Sequence, residues 1–209
     1  MSDYPIEQIR SLFPGLTRQV NGHQAIFFDG PGGSQSPESV GEAVKHYLLH
    51  QNSNVGMSFA TSKETDELIE QTMMACADLL GCADHREIVF GQNMTSLTIQ
   101  LASALSRTWG PEDEVVVTRS DHDANVRPWV LAAQWSGAKI RWIEINPKDC
   151  THSAESIEEN INENTVMVAI GAASNFSGTI NDVKGICSKA HSVDAEVFVD
   201  AVHYAPHGL

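Results

Sequence analysis

The run TVMVAIG spans Thr165–Gly171, and AEVFVD spans Ala195–Asp200. Both are short and rich in β-branched residues, and polar residues do not alternate through their cores. Such runs read as strands buried on both faces of a parallel sheet. Between them, Val183–His191 carries helical spacing. Read backwards along the chain, the same unit recurs. Glu87–Phe90, Glu114–Thr118 (EVVVT) and Lys139–Ile145 are further strands. Met94–Ser106, about Asn125–Trp135, and Ala154–Ile161 are the helices between them. Five strands thus alternate with four helices. That alternation predicts an α/β fold, a mostly parallel doubly wound sheet with helices on both faces.

Upstream the reading is less regular. Pro5, Pro14, Gly15 and Gly22 punctuate residues 1–24. Ala25–Phe28 reads as a strand running into the loop Asp29-Gly30-Pro31-Gly32-Gly33. A helix is expected from Pro37, tolerated in a first turn, to about His50, with a loop over 51–60. Thr61-Ser62-Lys63-Glu64 has the form of a capping box opening the next helix, and Gly81 is placed to end it. The organisation expected is an N-terminal segment, 1–60, supplying loops to a site, and a large α/β domain, 61–209.

Composition narrows the function. Of 209 residues, 13 are basic and 27 acidic, for a net charge of −14. Apolar residues make up 42% and charged residues 19%, which excludes a disordered chain. The acidic balance argues against nucleic acid or an anionic membrane as partner, since both need a positive patch. The longest apolar stretch, Val166–Ala173, is far too short to span a bilayer. The start, MSDYPIEQIR, has no basic segment followed by an apolar run, so no secretory signal is read there. Cys76, Cys82, Cys150 and Cys187 form no C-x-x-C pair and no zinc spacing. Free thiols and a cytoplasmic address are the expectation.

Ligands of an open parallel sheet bind beyond the carboxyl ends of its strands. Thr95 and Ser96 open a helix there, where unpaired N–H groups and two hydroxyls suit a phosphate or serve as a plain cap. Asp200 ends the last strand and is free to hold a cationic atom, bind a metal or cap a turn. His122 stands between Asp121 and Asp123. Neighbouring side chains of an extended segment diverge, so these three do not share one ion. His122 is instead a solvent-exposed loop residue or a flat contact for an aromatic ligand. His203 and His207 are four apart, but Pro206 between them opposes a helical metal face. The Gly30–Gly33 loop lacks a dinucleotide fingerprint, and neither a G-x-x-x-x-G-K-[ST] loop nor a G-x-S-x-G elbow occurs.

In order, these segments resemble one family. Thr95-Ser96, Asp121-His122-Asp123-Ala124-Asn125 with Pro128-Trp129, Ser174 to Thr179 (SNFSGT), and Val199 to His203 (VDAVH) are similar to the class V aminotransferase and cysteine desulfurase group of fold-type I enzymes. Phe28 to Gly33 is similar to that group's opening strand and loop. The resemblance implies pyridoxal 5′-phosphate as cofactor, an amino acid as substrate and a homodimer. By resemblance, Thr95 and Ser96 hold the phosphate and His122 stacks on the pyridine ring. Asn175 and His203 lie near the ring hydroxyl, and Asp200 pairs with the ring nitrogen, keeping the cofactor an electron sink. Catalytic roles fall to His122 and Asp200. Two positions depart: desulfurases commonly have a glutamine at His203, and the family often has a second histidine at Asp123.

The resemblance also implies a Schiff-base lysine downstream of Asp200. Lys45, Lys63, Lys139, Lys148, Lys184 and Lys189 all precede it. The chain is therefore expected to be the N-terminal part of such an enzyme, inactive alone. Desulfuration of cysteine or selenocysteine is the reaction expected of the intact protein, with transamination and epimerisation as alternatives. Two other classes predict different ligands. A non-catalytic Rossmann-like module would bind an adenine nucleotide. A metal hydrolase would join His122, Asp200 and His203 around an ion.

Overall fold

The computed structural model describes residues 4–208. By compactness the chain divides into two units, Met1–Val89 and Phe90–Leu209. The division at residue 60 drawn above concerns which residues serve the site and remains a proposal.

The first unit holds α1 (Ile6–Ser11), β1 (Gln19–Val20), β2 (His23–Gln24), α2 (Glu38–His46) and α3 (Ala60–Leu80). β1 and β2 form an antiparallel hairpin. Its turn residues, Asn21 and Gly22, have φ of 52° and 81°, the positive angles that a two-residue hairpin favours. The expected strand at Ala25–Phe28 does not form. These residues have no ladder partner among the described strands, and Ile26 and Phe28 are exposed. α2 runs on into a wider helical turn, Tyr47–Gln51, close to the expected end at His50.

α3 starts one residue before the expected cap. Thr61 lies inside the helix, so no capping box forms. Instead the first two turns reach back into the preceding loop: Ser62 Oγ accepts the Met57 N–H at 2.9 Å, and the Asp66 carboxylate accepts that of Gly56 at 3.0 Å. Gly81 ends the helix in the left-handed conformation at φ 69°, as its position predicts.

The second unit contains α4 (Met94–Leu105), β3 (Glu114–Thr118), α5 (Arg127–Ser136), β4 (Lys139–Ile143), α6 (Ala154–Asn160), β5 (Thr165–Gly171), α7 (Val183–His191) and β6 (Glu196–Asp200). The four strands form one parallel sheet in the order β4-β3-β5-β6. Glu87–Phe90, expected as a fifth strand, makes a short 3₁₀ turn at His85–Glu87 and then unpaired extended chain. Val89 and Phe90 are exposed there.

Both faces of the sheet are covered. Val115 and Val117 of β3 and Met167 and Ala169 of β5 pack under Ala102 of α4 and Trp129, Ala132 and Ala133 of α5. The alternate residues, Val116, Val168 and Ile170, face Ile186 and Ala190 of α7 and Ile157 of α6. This is the period-two alternation of a strand serving two apolar layers. From β3 the chain moves outward to β4, then crosses back to lay β5 on the other side. The seam between β3 and β5 is thus the topological switch point.

Candidate active site

At the carboxyl end of that seam, Asp121 follows β3 and reaches over to β5. Its Oδ1 accepts the Gly171 N–H at 2.9 Å, and its Oδ2 accepts the Asn125 amide at 2.9 Å. Asn125 Oδ1 in turn accepts the indole N–H of Trp129 at 3.2 Å. Trp129 is fully buried against Phe198, with ring centroids 5.1 Å apart. A chain of hydrogen bonds therefore ties the loop after β3 to the core. Burial pushes the Asp121 carboxyl above its ordinary pKa, the Gly171 and Asn125 hydrogen bonds oppose that, and the nearby Asp200 charge adds to the rise.

His122 is aimed by the same loop. Its Nδ1 accepts the Ala124 N–H at 3.1 Å, which assigns the proton of the neutral ring to Nε2. The ring itself is exposed. Asp200, paired in register with Gly171, ends β6. One of its carboxylate oxygens accepts the Val202 N–H at 3.0 Å, the turn-capping role weighed above, and the other is left for a ligand. Asn175 sits in a tight turn in which Ser174 Oγ accepts the N–H groups of Phe176 and Ser177, each at 3.3 Å. Asp121, His122, Asn175, Asp200 and His203 all line one inner cleft of about 10 Å³. That holds about one water, so a ring-sized ligand must lie across its mouth. Among the described residues, no three histidine, cysteine, aspartate or glutamate side chains meet so as to hold a metal ion.

Two hollows adjoin the cleft, and His122 lines both. One, of about 190 Å³, brings in Thr95 at the start of α4 together with Arg127. Neither Thr95 nor Ser96 is the cap: Asn93 is, its side chain accepting the Ser96 N–H at 2.9 Å. The Thr95 and Ser96 hydroxyls are thereby released from capping. Ser96 does not line this hollow, and its N–H is already engaged. The other hollow, of about 360 Å³, extends from Asn175 past Ser120 to Cys150.

The family model for class-V aminotransferases matches residues 26–208. The chain belongs to the class-V aminotransferase family. Among curated relatives of this class-V chain is a probable cysteine desulfurase from Streptomyces coelicolor, 34% identical over 208 residues, covering 96% of this chain and 50% of the relative. An aminotransferase-like protein, FGM3, from Gibberella zeae is 33% identical, covering 99% of this chain and 51% of its own length. The chain spans about half the length of the curated relatives it matches. The apo cysteine desulfurase from Thermococcus onnurineus aligns with a TM-score of 0.85 at 27% identity, over 96% of this chain and 48% of that one. The Escherichia coli cysteine desulfurase CsdA aligns at 0.81 and 26%, over 98% and 50%.

Within this class-V chain, sequence reasoning missed Asp121, Gly171 and the Asn125–Trp129 link. The four-residue spacings from Asp121 to Asn125 and from Asn125 to Trp129 were a usable signal, because they read as successive turns of one helix start. The pairing of Ser120 with His152 had no signal, since 31 residues separate the two in the sequence.

Proposed function

We propose that the chain carries the ring and phosphate contacts of a pyridoxal 5′-phosphate enzyme acting on amino acids. Removal of sulfur from cysteine, or of selenium from selenocysteine, is its reaction in the whole protein. Transamination or epimerisation is the alternative, and the aminotransferase-like relative is what keeps it in view. The observation that carries the reading is the Asp200 carboxylate and the His122 ring on one cleft at the switch point of the sheet.

The residues fit the cofactor chemically. When bound, its protonated pyridine ring withdraws electrons from the amino-acid carbon. The free Asp200 oxygen holds the proton on the ring nitrogen by charge pairing. His122, fixed through Nδ1, offers its flat face to the ring and its Nε2 proton to an acceptor. Asn175 and His203 supply polar groups for the ring hydroxyl. The Thr95 and Ser96 hydroxyls and the positive start of α4 take the phosphate. None of the six lysines lines the cleft or its hollows, so these residues bind the cofactor without a covalent bond. The 209-residue chain alone is accordingly inactive. The whole protein acts as a cytoplasmic homodimer. No helix of the described residues is long and apolar enough to cross a membrane.

Titration with pyridoxine 5′-phosphate tests this reading, because that analogue has no aldehyde to react with surface lysines. Asp200→Ala is expected to weaken binding about 10-fold or more, the effect of a charge-assisted hydrogen bond. Unchanged affinity in that variant would remove the role given to Asp200.

A further inference from the structure

Ser120, on the wall of the larger hollow, belongs to a polar pair that the cofactor contacts do not use. Ser120 Oγ lies 2.8 Å from His152 Nε2 and 3.2 Å from Thr118 Oγ1. His152 comes from the loop between β4 and α6, where it bridges back to Ile145 and where Cys150 takes a φ of 58°. His152 Nδ1 is buried with no hydrogen-bond partner. A bare buried acceptor is tolerated better than a buried N–H without an acceptor, so the ring proton is assigned to Nε2. His152 then donates to Ser120 Oγ, and the Ser120 proton is left to go to Thr118 or to a ligand. Burial also lowers the His152 pKa, which keeps the ring neutral near pH 7.

The hollow is contiguous with the cleft, sharing Asp121, His122, Ser174 and Asn175 with it. A ligand ring lying against His122 therefore borders it directly. Its volume, about 360 Å³, is more than a thiol needs. Asp121 and Asp123 on its wall oppose an anionic occupant. Arg119, which also reaches the wall, is committed elsewhere, stacked 3.8 Å over the Trp142 ring and paired with Glu144. What remains is a neutral, oriented hydroxyl donor beside two carboxylates that turn an anion away, a combination that suits an uncharged acceptor.

We propose that this hollow is a side-chain subsite for the amino-acid substrate, and that Ser120, held by His152, selects side chains bearing an uncharged oxygen acceptor such as a carboxamide. Cysteine is too short to fill the subsite, and its sulfur is a weak acceptor. The subsite therefore admits a longer amino acid in addition to cysteine. The proposal rests on the cofactor reading above, since the ring's position across the cleft sets where the side chain goes.

Stable conjugates test it without any covalent bond to the chain. N-(5′-phosphopyridoxyl)-L-glutamine and N-(5′-phosphopyridoxyl)-L-norleucine are titrated calorimetrically into the 209-residue chain. The glutamine conjugate is expected to bind about five-fold more tightly, the effect of one neutral hydrogen bond. Ser120→Ala is expected to erase that preference by weakening the glutamine conjugate alone. His152→Gln, which keeps a donor toward Ser120, retains the preference, and His152→Leu loses it. Equal binding of the two conjugates, or a Ser120→Ala variant that weakens both alike, overturns the subsite while binding of pyridoxine 5′-phosphate still upholds the cofactor reading. If neither conjugate nor pyridoxine 5′-phosphate binds, the cofactor reading falls and takes the subsite with it.

Discussion

Gly171 is the residue on which the cleft's geometry turns. A Cβ built there would lie 2.8 Å from Asp121 Oδ1, the same oxygen that accepts the Gly171 N–H. Gly171→Ala must displace the Asp121 carboxylate or the backbone of β5. It is expected to cost about 1–3 kcal/mol, the usual range for overpacking a tight site. Urea unfolding at fixed pH measures this, and a loss below about 0.5 kcal/mol would show that Asp121 moves aside freely. At this scale Asp200 and His122 were legible in the sequence because one ends a strand and the other lies in the loop after one, where an open sheet places its ligands. Gly171 was legible only as the end of a strand. Its close approach to Asp121 depends on how β3 and β5 sit side by side.

Among the elements, α4 shows how a local signal is read one turn out of place. Thr95 and Ser96 satisfy the composition of a helix start, but Asn93 makes the cap. Asn93→Ala is expected to destabilise the second unit by about 1 kcal/mol, a lost cap hydrogen bond, checked by thermal denaturation. An unchanged midpoint would mean that another group takes over the Ser96 N–H. The same displacement occurs at α3, where Ser62 and Asp66 serve the preceding loop and the expected capping box is absent. Burial separates the strands that form from those that do not. EVVVT and TVMVAIG are almost wholly buried and form central strands. Ala25–Phe28 and Glu87–Phe90 have similar apolar content but form no ladder, and Ile26, Phe28, Val89 and Phe90 stay exposed. Apolar content alone does not separate these cases, because a strand exists only with a neighbour to pair with.

For the whole molecule, two groups make stability depend on pH in opposite senses. Burial lowers the His152 pKa in the folded chain. As pH falls through about 6.5, the unfolded chain takes up this proton first, so stability declines until the folded value is reached. Asp121 has a raised folded pKa. Its contribution is lost in the other direction, as pH rises from about 4 toward that raised value. His152→Gln is therefore expected to lose less stability than the unchanged chain as pH falls below about 6.5. Urea midpoints across that window check it, and parallel slopes for the two proteins would exclude His152 as the cause.

The sequence by itself determined the class of fold, the order of its central elements and the positions of Asp200, His122 and Asn175 at one edge. Strand burial, helical spacing and the strand-end rule are local or periodic, and a chain displays them directly. The tertiary structure alone decided that β3 and β5 are neighbours, and hence that Asp121 locks onto Gly171. It also decided that His152 meets Ser120 across the loop after β4. Those contacts join residues far apart along the chain, and only the packing of two helical layers on the sheet brings them within hydrogen-bond distance.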